Sequence, residues 1–157
     1  MDIVKFIEKN AVLHDGSVRY NDNRKSISVA TYPFGLSHHR GVYFFVLEHK
    51  GKKNIMKVGK ADGKKGFAQR ISEYRYDQST AFKNKRTDCL VTYEAFKEMR
   101  KKFGDDVKLQ MWLYRVDPQL IEHKGITVEA SIVRDLELTL SKLARQQGHD
   151  MLLSRVD

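Results

Sequence analysis

The chain has 157 residues, with 29 Lys/Arg against 20 Asp/Glu for a formal charge of +9, and a single cysteine, Cys89. That length suits one domain with its own core, while a lone cysteine excludes an intramolecular disulfide and any multi-cysteine metal knot, and favours a reducing compartment. No apolar stretch is long enough to span a membrane, and Met1–Asn10 is too short and too charged for a signal peptide; the positive excess points to a polyanionic partner.

Ile3, Phe6 and Ile7 fall on one helical face, which predicts a helix over Ile3–Lys9. Ser17–Tyr20 and Ser26–Thr31 flank Asn21-Asp22-Asn23 and read as a hairpin with a polar turn. Tyr32-Pro33-Phe34-Gly35 breaks regular structure. Val42–Leu47 is apolar on both faces, so it belongs inside a sheet. Asn54–Val58 is expected to pair back on it through a turn at Lys50-Gly51. Gly66–Arg75 reads as a helix with Phe67, Ile71 and Tyr74 as its apolar stripe.

Asp77–Cys89 is polar and Lys-rich, a loop. Val91–Phe103 reads as a helix stopped at Gly104. Val107–Val116 is a third core strand, with Val107, Leu109, Met111 and Leu113 facing one way and Lys108, Gln110 and Trp112 the other. Thr127 is expected to N-cap a last long helix running to about Gln147 and closed by Gly148. These elements predict an α+β fold: a small antiparallel β-sheet of about three core strands covered by helices. Residues 1–40 form an N-terminal helix and hairpin extension on a core domain of residues 41–157. No repeat, linker or appended targeting domain is expected.

Periodicity alone singles out Glu137. On the predicted last helix Val128, Ile132, Leu136, Leu140 and Leu143 form an apolar stripe that Ala130, Val133 and Ala144 widen. Glu137 falls among those last three, and a carboxylate there needs a cation, hydrogen bonds or a metal. Glu129, also near the apolar side, is explained by the dipole of the first helical turn.

Gly41-Val42-Tyr43, Lys57-Val58-Gly59-Lys60-Ala61, Arg70 and Asp135-Leu136-Glu137 occur in an order that resembles the GIY-YIG nucleases, over Gly41 to His149. The resemblance implies a divalent-metal-dependent DNA endonuclease that hydrolyses phosphodiester bonds with Mg²⁺ or Mn²⁺, in the cytoplasm. It puts Tyr43 at the catalytic centre, activating water. A phenol, with an ordinary pKa of about 10, is a poor base at neutral pH and needs nearby cations. Lys57 stands where the family has a tyrosine. It either points to solvent or replaces that phenol, supplying a cation if the hairpin pairs it across from Tyr43, which the turn around Lys50-Gly51 would allow.

The resemblance further implies that Gly59 lets the backbone turn tightly and that Lys60 contacts phosphate. Arg70 would grip the scissile phosphate through its planar fork. Tyr74 would hydrogen-bond the phosphate or water, with a core role equally open. Glu137 would hold the metal. His149, standing where the family commonly has an asparagine, would hydrogen-bond the site as a DNA- or phosphate-binding residue, with an accidental match also open. His38-His39-Arg40 reads as a polar loop.

Lys83, Lys85 and Arg86, with the basic runs Lys50–Lys65 and Lys97–Lys102, would form a phosphate-binding rim. One such site cuts one strand, so a double-strand break needs a homodimer or two successive events. Two other readings stand beside the nuclease. One is a GIY-YIG-like DNA-binding or inhibitory module without catalysis; the other is a factor that binds an acidic protein.

Overall fold

The computed structural model describes residues 1–14, 19–21, 26–28, 35–73, 97–104 and 108–154. In chain order these form α1 (Ile3–Asn10), β1 (Val12–Leu13), β2 (Arg19–Asn21), β3 (Ser26–Ser28), β4 (Gly41–His49), β5 (Lys52–Ala61) and α2 (Gly66–Glu73). A helical segment over 97–103, α3, follows. Then come β6 (Lys108–Arg115), β7 (Gln119–His123), β8 (Ile126–Ala130) and α4 (Val133–Gln146). The fold is α+β, on an antiparallel sheet in the order β1-β6-β4-β5. The strand beyond the three expected is β1, which pairs Val12 with Leu113 and Leu13 with Trp112.

β4 lies between β6 and β5, and its unbroken apolar run has a use on each face. Tyr43, Phe45 and Leu47 pack with Phe67 and Ile71 of α2 and Met99 of α3. Val42, Phe44 and Val46 pack with Ile3 and Ile7 of α1 and Val133, Leu140 and Ala144 of α4. Burying each such side chain stabilises the fold by about 1.5–3 kcal/mol relative to exposure. β6 alternates as its sequence predicts, burying Leu109, Met111 and Leu113.

β4 and β5 are joined through Lys50 and Gly51, with φ of +50° and +76°, the two positive dihedrals that a tight hairpin turn demands. The ladder is irregular. Phe45 pairs with Lys57 while Val46 pairs with Ile55, so Met56 is the extra residue of a bulge. An unbroken ladder would put Lys57 on the same face as Ile55. The bulge instead carries Lys57 and Gly59 onto the face of Tyr43 and Phe45.

The last helix begins at Val133, not at Thr127. Thr127, Val128, Glu129 and Ala130 lie in β8, paired with β7 across Lys124-Gly125, whose φ values are +50° and +80°. This is the dihedral pattern of the Lys50-Gly51 turn, and it overrides the helical spacing of the flanking apolar residues. Val128 and Ile132 are accordingly 48% and 43% exposed, and the buried stripe starts at Val133. Glu129 caps no helix dipole; it accepts a 2.7 Å bond from Arg40 Nη1. β2 and β3 pair as the expected hairpin, with Asn21 in the strand and not in the turn; Ser17, Val18 and residues 29–31 lie outside the described residues. Asp22-Asn23, Tyr32–Phe34, the Asp77–Cys89 loop and the start of the Val91–Phe103 helix lie outside the described residues.

The residues after α4 line the outer edge of β5. Met151 N–H donates to the Ile55 carbonyl at 3.0 Å and Leu153 N–H to the Met56 carbonyl at 2.8 Å. Ile55 N–H donates to His149 Nδ1 at 3.2 Å. Burial lowers the His149 pKa below its ordinary 6.5, against the upward pull of Asp2 and Asp150. An accepting Nδ1 requires the neutral ring, so the unfolded chain takes up this proton more readily than the folded one. The resulting stability is full above pH 6.5 and is lost as pH falls below it. His149→Asn, whose Oδ1 can accept from the same amide, should match the wild-type melting temperature at pH 8 and lose less of it on acidification. Parallel melting curves from pH 8 to 5 would refute this role.

Candidate active site

At the β5 edge, α2 approaches from one face of the sheet and α4 from the other. Between them lies a cavity of about 230 Å³ lined by Tyr43, Lys57, Val58, Gly59, Arg70, Glu137, Leu138, Ser141, Arg145 and Ser154. Tyr43 is fully buried and contacts Phe45 edge-on, with ring centroids 5.8 Å apart. Its cross-strand partner is Gly59, not Lys57; continuing the register of the turn end would have set Val58 opposite Tyr43, and the bulge advances this by one residue. A Cβ on Gly59 would overlap the Tyr43 Cζ and hydroxyl. This glycine therefore makes room for a ring within a strand, rather than allowing a tight backbone turn. Lys57 pairs with Phe45 and is only 8% exposed, so it does not point to solvent.

Arg70 is carried by α2, whose first turn is tied to the segment that leads into β4. Phe67 N–H donates to the His39 carbonyl at 3.0 Å and Ala68 N–H to the Ser37 carbonyl at 2.7 Å. Phe67 and Ile71 anchor the helix in the core, which brings Arg70 to the rim of Tyr43. Arg70 Nε–H donates to the Tyr43 hydroxyl oxygen at 3.2 Å, and Nη1 to Glu73 Oε2 at 2.7 Å. The sequence assigned the cation beside Tyr43 to Lys57; Arg70 also supplies one, in direct contact.

Glu137 is positioned by the start of α4. Ser131 Oγ donates to Asp62 Oδ1 at 2.7 Å and accepts from Val133 N–H at 3.3 Å, tying the helix to the end of β5. Val133, Leu140 and Ala144 seat α4 in the core, and Glu137 is left half-buried at the cavity. Burial pushes its carboxyl above the ordinary range, while the charges of Lys60, Arg70, Lys57 and Arg134 pull it back down. A carboxylate still disfavoured by burial is suited to a cation. Among the described residues no group of three or more His, Cys, Asp or Glu gathers, so zinc-type ligation is not provided there. A single carboxylate does fit Mg²⁺, which takes one or two of them and completes its shell with water and phosphate oxygens.

Lys60 is exposed and borders a neighbouring cavity of about 220 Å³, which Arg70, Glu73, Asp62 and Gln69 also line. His149, expected to hydrogen-bond the site, instead accepts from the Ile55 amide and is not part of either cavity lining. Tyr74, Lys83, Lys85 and Arg86 lie outside the described residues. The structure adds Glu73, Ser141, Arg145 and Ser154. Glu73 sits three residues after Arg70, and Ser141 and Arg145 follow Glu137 at four-residue steps, so helical spacing could have found them. Ser154 arrives through the β5 edge contacts, which leave no sequence signal; its Oγ is buried with no hydrogen-bond partner among the described residues.

No family model matches this chain, and no curated protein matches it in sequence. Among solved structures, an alanine-for-glutamate mutant of bacteriophage T4 EndoII matches with a TM-score of 0.53 and 14% identity. The match covers 92% of this chain and 95% of that one. The two chains share a fold. The restriction endonuclease HPY188I, solved with product DNA, aligns at a TM-score of 0.45 and 12% identity, covering 94% of this chain and 82% of that one.

Gly59→Ala should cost about 1–3 kcal/mol of unfolding free energy, because the methyl group is forced into the Tyr43 ring. Denaturant titration measures this. Adding Tyr43→Leu should recover part of the loss, and strictly additive effects would show that the ring and Gly59 are not in contact.

Proposed function

We propose that this chain is a GIY-YIG-type, divalent-metal-dependent DNA endonuclease acting in the cytoplasm. The observation that carries this reading is the meeting of Tyr43, Lys57, Arg70 and Glu137, one each from β4, β5, α2 and α4, around one cavity. The fold shared with bacteriophage T4 EndoII over nearly the whole chain supports it, as does the formal charge of +9.

The roles follow from placement. Arg70 binds non-bridging phosphate oxygens, and its contact strengthens as negative charge builds on the pentavalent phosphorus. Tyr43, acting as the phenolate with the Arg70 guanidinium donating to its oxygen, accepts a proton from the attacking water and becomes the neutral phenol, leaving hydroxide to attack phosphorus. Lys57, buried on the same sheet face, adds a second positive charge. Glu137 would hold Mg²⁺ or Mn²⁺ against the phosphate. When bound, the metal supplies Lewis-acid stabilisation of the phosphate and leaving oxygen. Lys60 with the basic runs around it contacts flanking phosphates. One site cuts one strand, so a double-strand break calls for a homodimer or two successive cuts.

Glu137→Gln keeps the side-chain shape and removes the charge. It should slow Mg²⁺-dependent nicking of supercoiled plasmid by at least about 100-fold, as should EDTA on the wild type, while duplex binding in EDTA persists. Wild-type-like nicking by Glu137→Gln would remove this carboxylate from the mechanism. DNA binding without cleavage in Mg²⁺ or Mn²⁺ would favour the non-catalytic module instead.

Salt separates rim from centre. Duplex affinity should fall by about 0.9 log units per log unit of salt for each phosphate neutralised. Arg70→Ala should lower that slope by about one at most while greatly reducing the saturated rate. An Arg70→Ala protein that binds weakly but cuts at full speed when saturated would demote Arg70 to the rim.

A further inference from the structure

We infer that Glu73 is a positioning residue: its carboxylate holds the Arg70 guanidinium against Tyr43 and keeps it from turning onto Glu137. This rests on the reading of Arg70 as a phosphate ligand. A guanidinium presents five N–H donors in one rigid plane. Here two different edges of that plane are engaged, Nε by the Tyr43 oxygen at 3.2 Å and Nη1 by Glu73 Oε2 at 2.7 Å. Anchors on two edges restrain both the place and the rotation of the plane.

The pair is also shielded, with side-chain exposures of 27% for Arg70 and 13% for Glu73. Such a contact is not the solvent-screened surface ion pair that contributes little. Arg70 borders both cavities, whereas Glu73 lines only the neighbouring one and Glu137 only the catalytic one. Two carboxylates thus flank one cation. Pairing with Glu137 would occupy the carboxylate assigned to the metal and draw the fork away from the phosphate. Glu73 removes that alternative. It also offsets the Arg70 charge before DNA arrives, which lowers affinity while fixing geometry.

Glu73→Ala should therefore separate binding from rate in a way that loss of fold would not. In EDTA its duplex affinity should equal or exceed that of the wild type. With Mg²⁺ its kcat should fall by about 10–100-fold, with KM changed by less than about threefold. Glu73→Gln, whose amide oxygen still accepts from Nη1, should recover most of the rate. A second readout needs no cleavage: the ¹⁵N-edited Nε–H signal of Arg70, identified by its loss in Arg70→Lys. Its exchange with water should be at least about tenfold faster in Glu73→Ala than in wild type, and near wild type in Glu73→Gln.

Unchanged exchange in Glu73→Ala, or unchanged kcat in an active enzyme, would overturn the inference. Equal loss of melting temperature, affinity and rate in both variants would reduce Glu73 to a structural ion pair and overturn it as well. A wild type that cuts no DNA yet shows the Glu73-dependent Arg70 signal would sink the nuclease reading and leave the positioning role standing.

Discussion

β4 is buried on both faces, and the rest of the architecture follows from that constraint. A strand that presents Tyr43, Phe45 and Leu47 to one side and Val42, Phe44 and Val46 to the other must be covered twice. The chain does so with α2 and α3 on one face and with α1 and α4 on the other. Because β5 is an edge strand, the two coverings come within reach of each other around it. The cavity lies there, and Arg70 from one layer meets Glu137 from the other.

Two local departures from regular strand geometry turn this crevice into a site. The bulge at Met56 reverses the facing of the following residues, so Lys57 and Gly59 share the face of Tyr43. The missing side chain at Gly59 then gives the Tyr43 ring its place. Neither feature adds to sheet regularity, and both shape the cavity. The charge balance is equally local: burial disfavours ionised Glu137, and nearby cations only partly compensate. A carboxylate in that position would suit the divalent cation proposed for this site.

Much of the fold was legible because its signals are short-range. The doubly apolar run at Val42–Leu47, the alternation through Leu109, Met111 and Leu113, and the Lys50-Gly51 turn each specify their element directly. The β7–β8 hairpin was hidden by coincidence. Val128, Ile132 and Leu136 happen to keep helical spacing, although Lys124-Gly125 repeats the turn pattern of Lys50-Gly51. The bulge has no sequence signal, so the face that Lys57 and Gly59 share with Tyr43 could not be read from the alternation of β5. Glu137 stood out because a carboxylate beside an apolar stripe is a local conflict. Glu73 did not, because an acid three residues after an arginine is ordinary on any helix.

The central claim is that Arg70 and Glu137, held by different layers, act on one phosphodiester as a unit. A double-mutant cycle on single-turnover cleavage of a labelled duplex tests it most directly, using Arg70→Lys and Glu137→Asp so that rates stay measurable. Groups acting together on one phosphate predict strong non-additivity, with the double variant little slower than the slower single one. Rate losses that simply multiply would mean the two residues act independently, and would contradict the account.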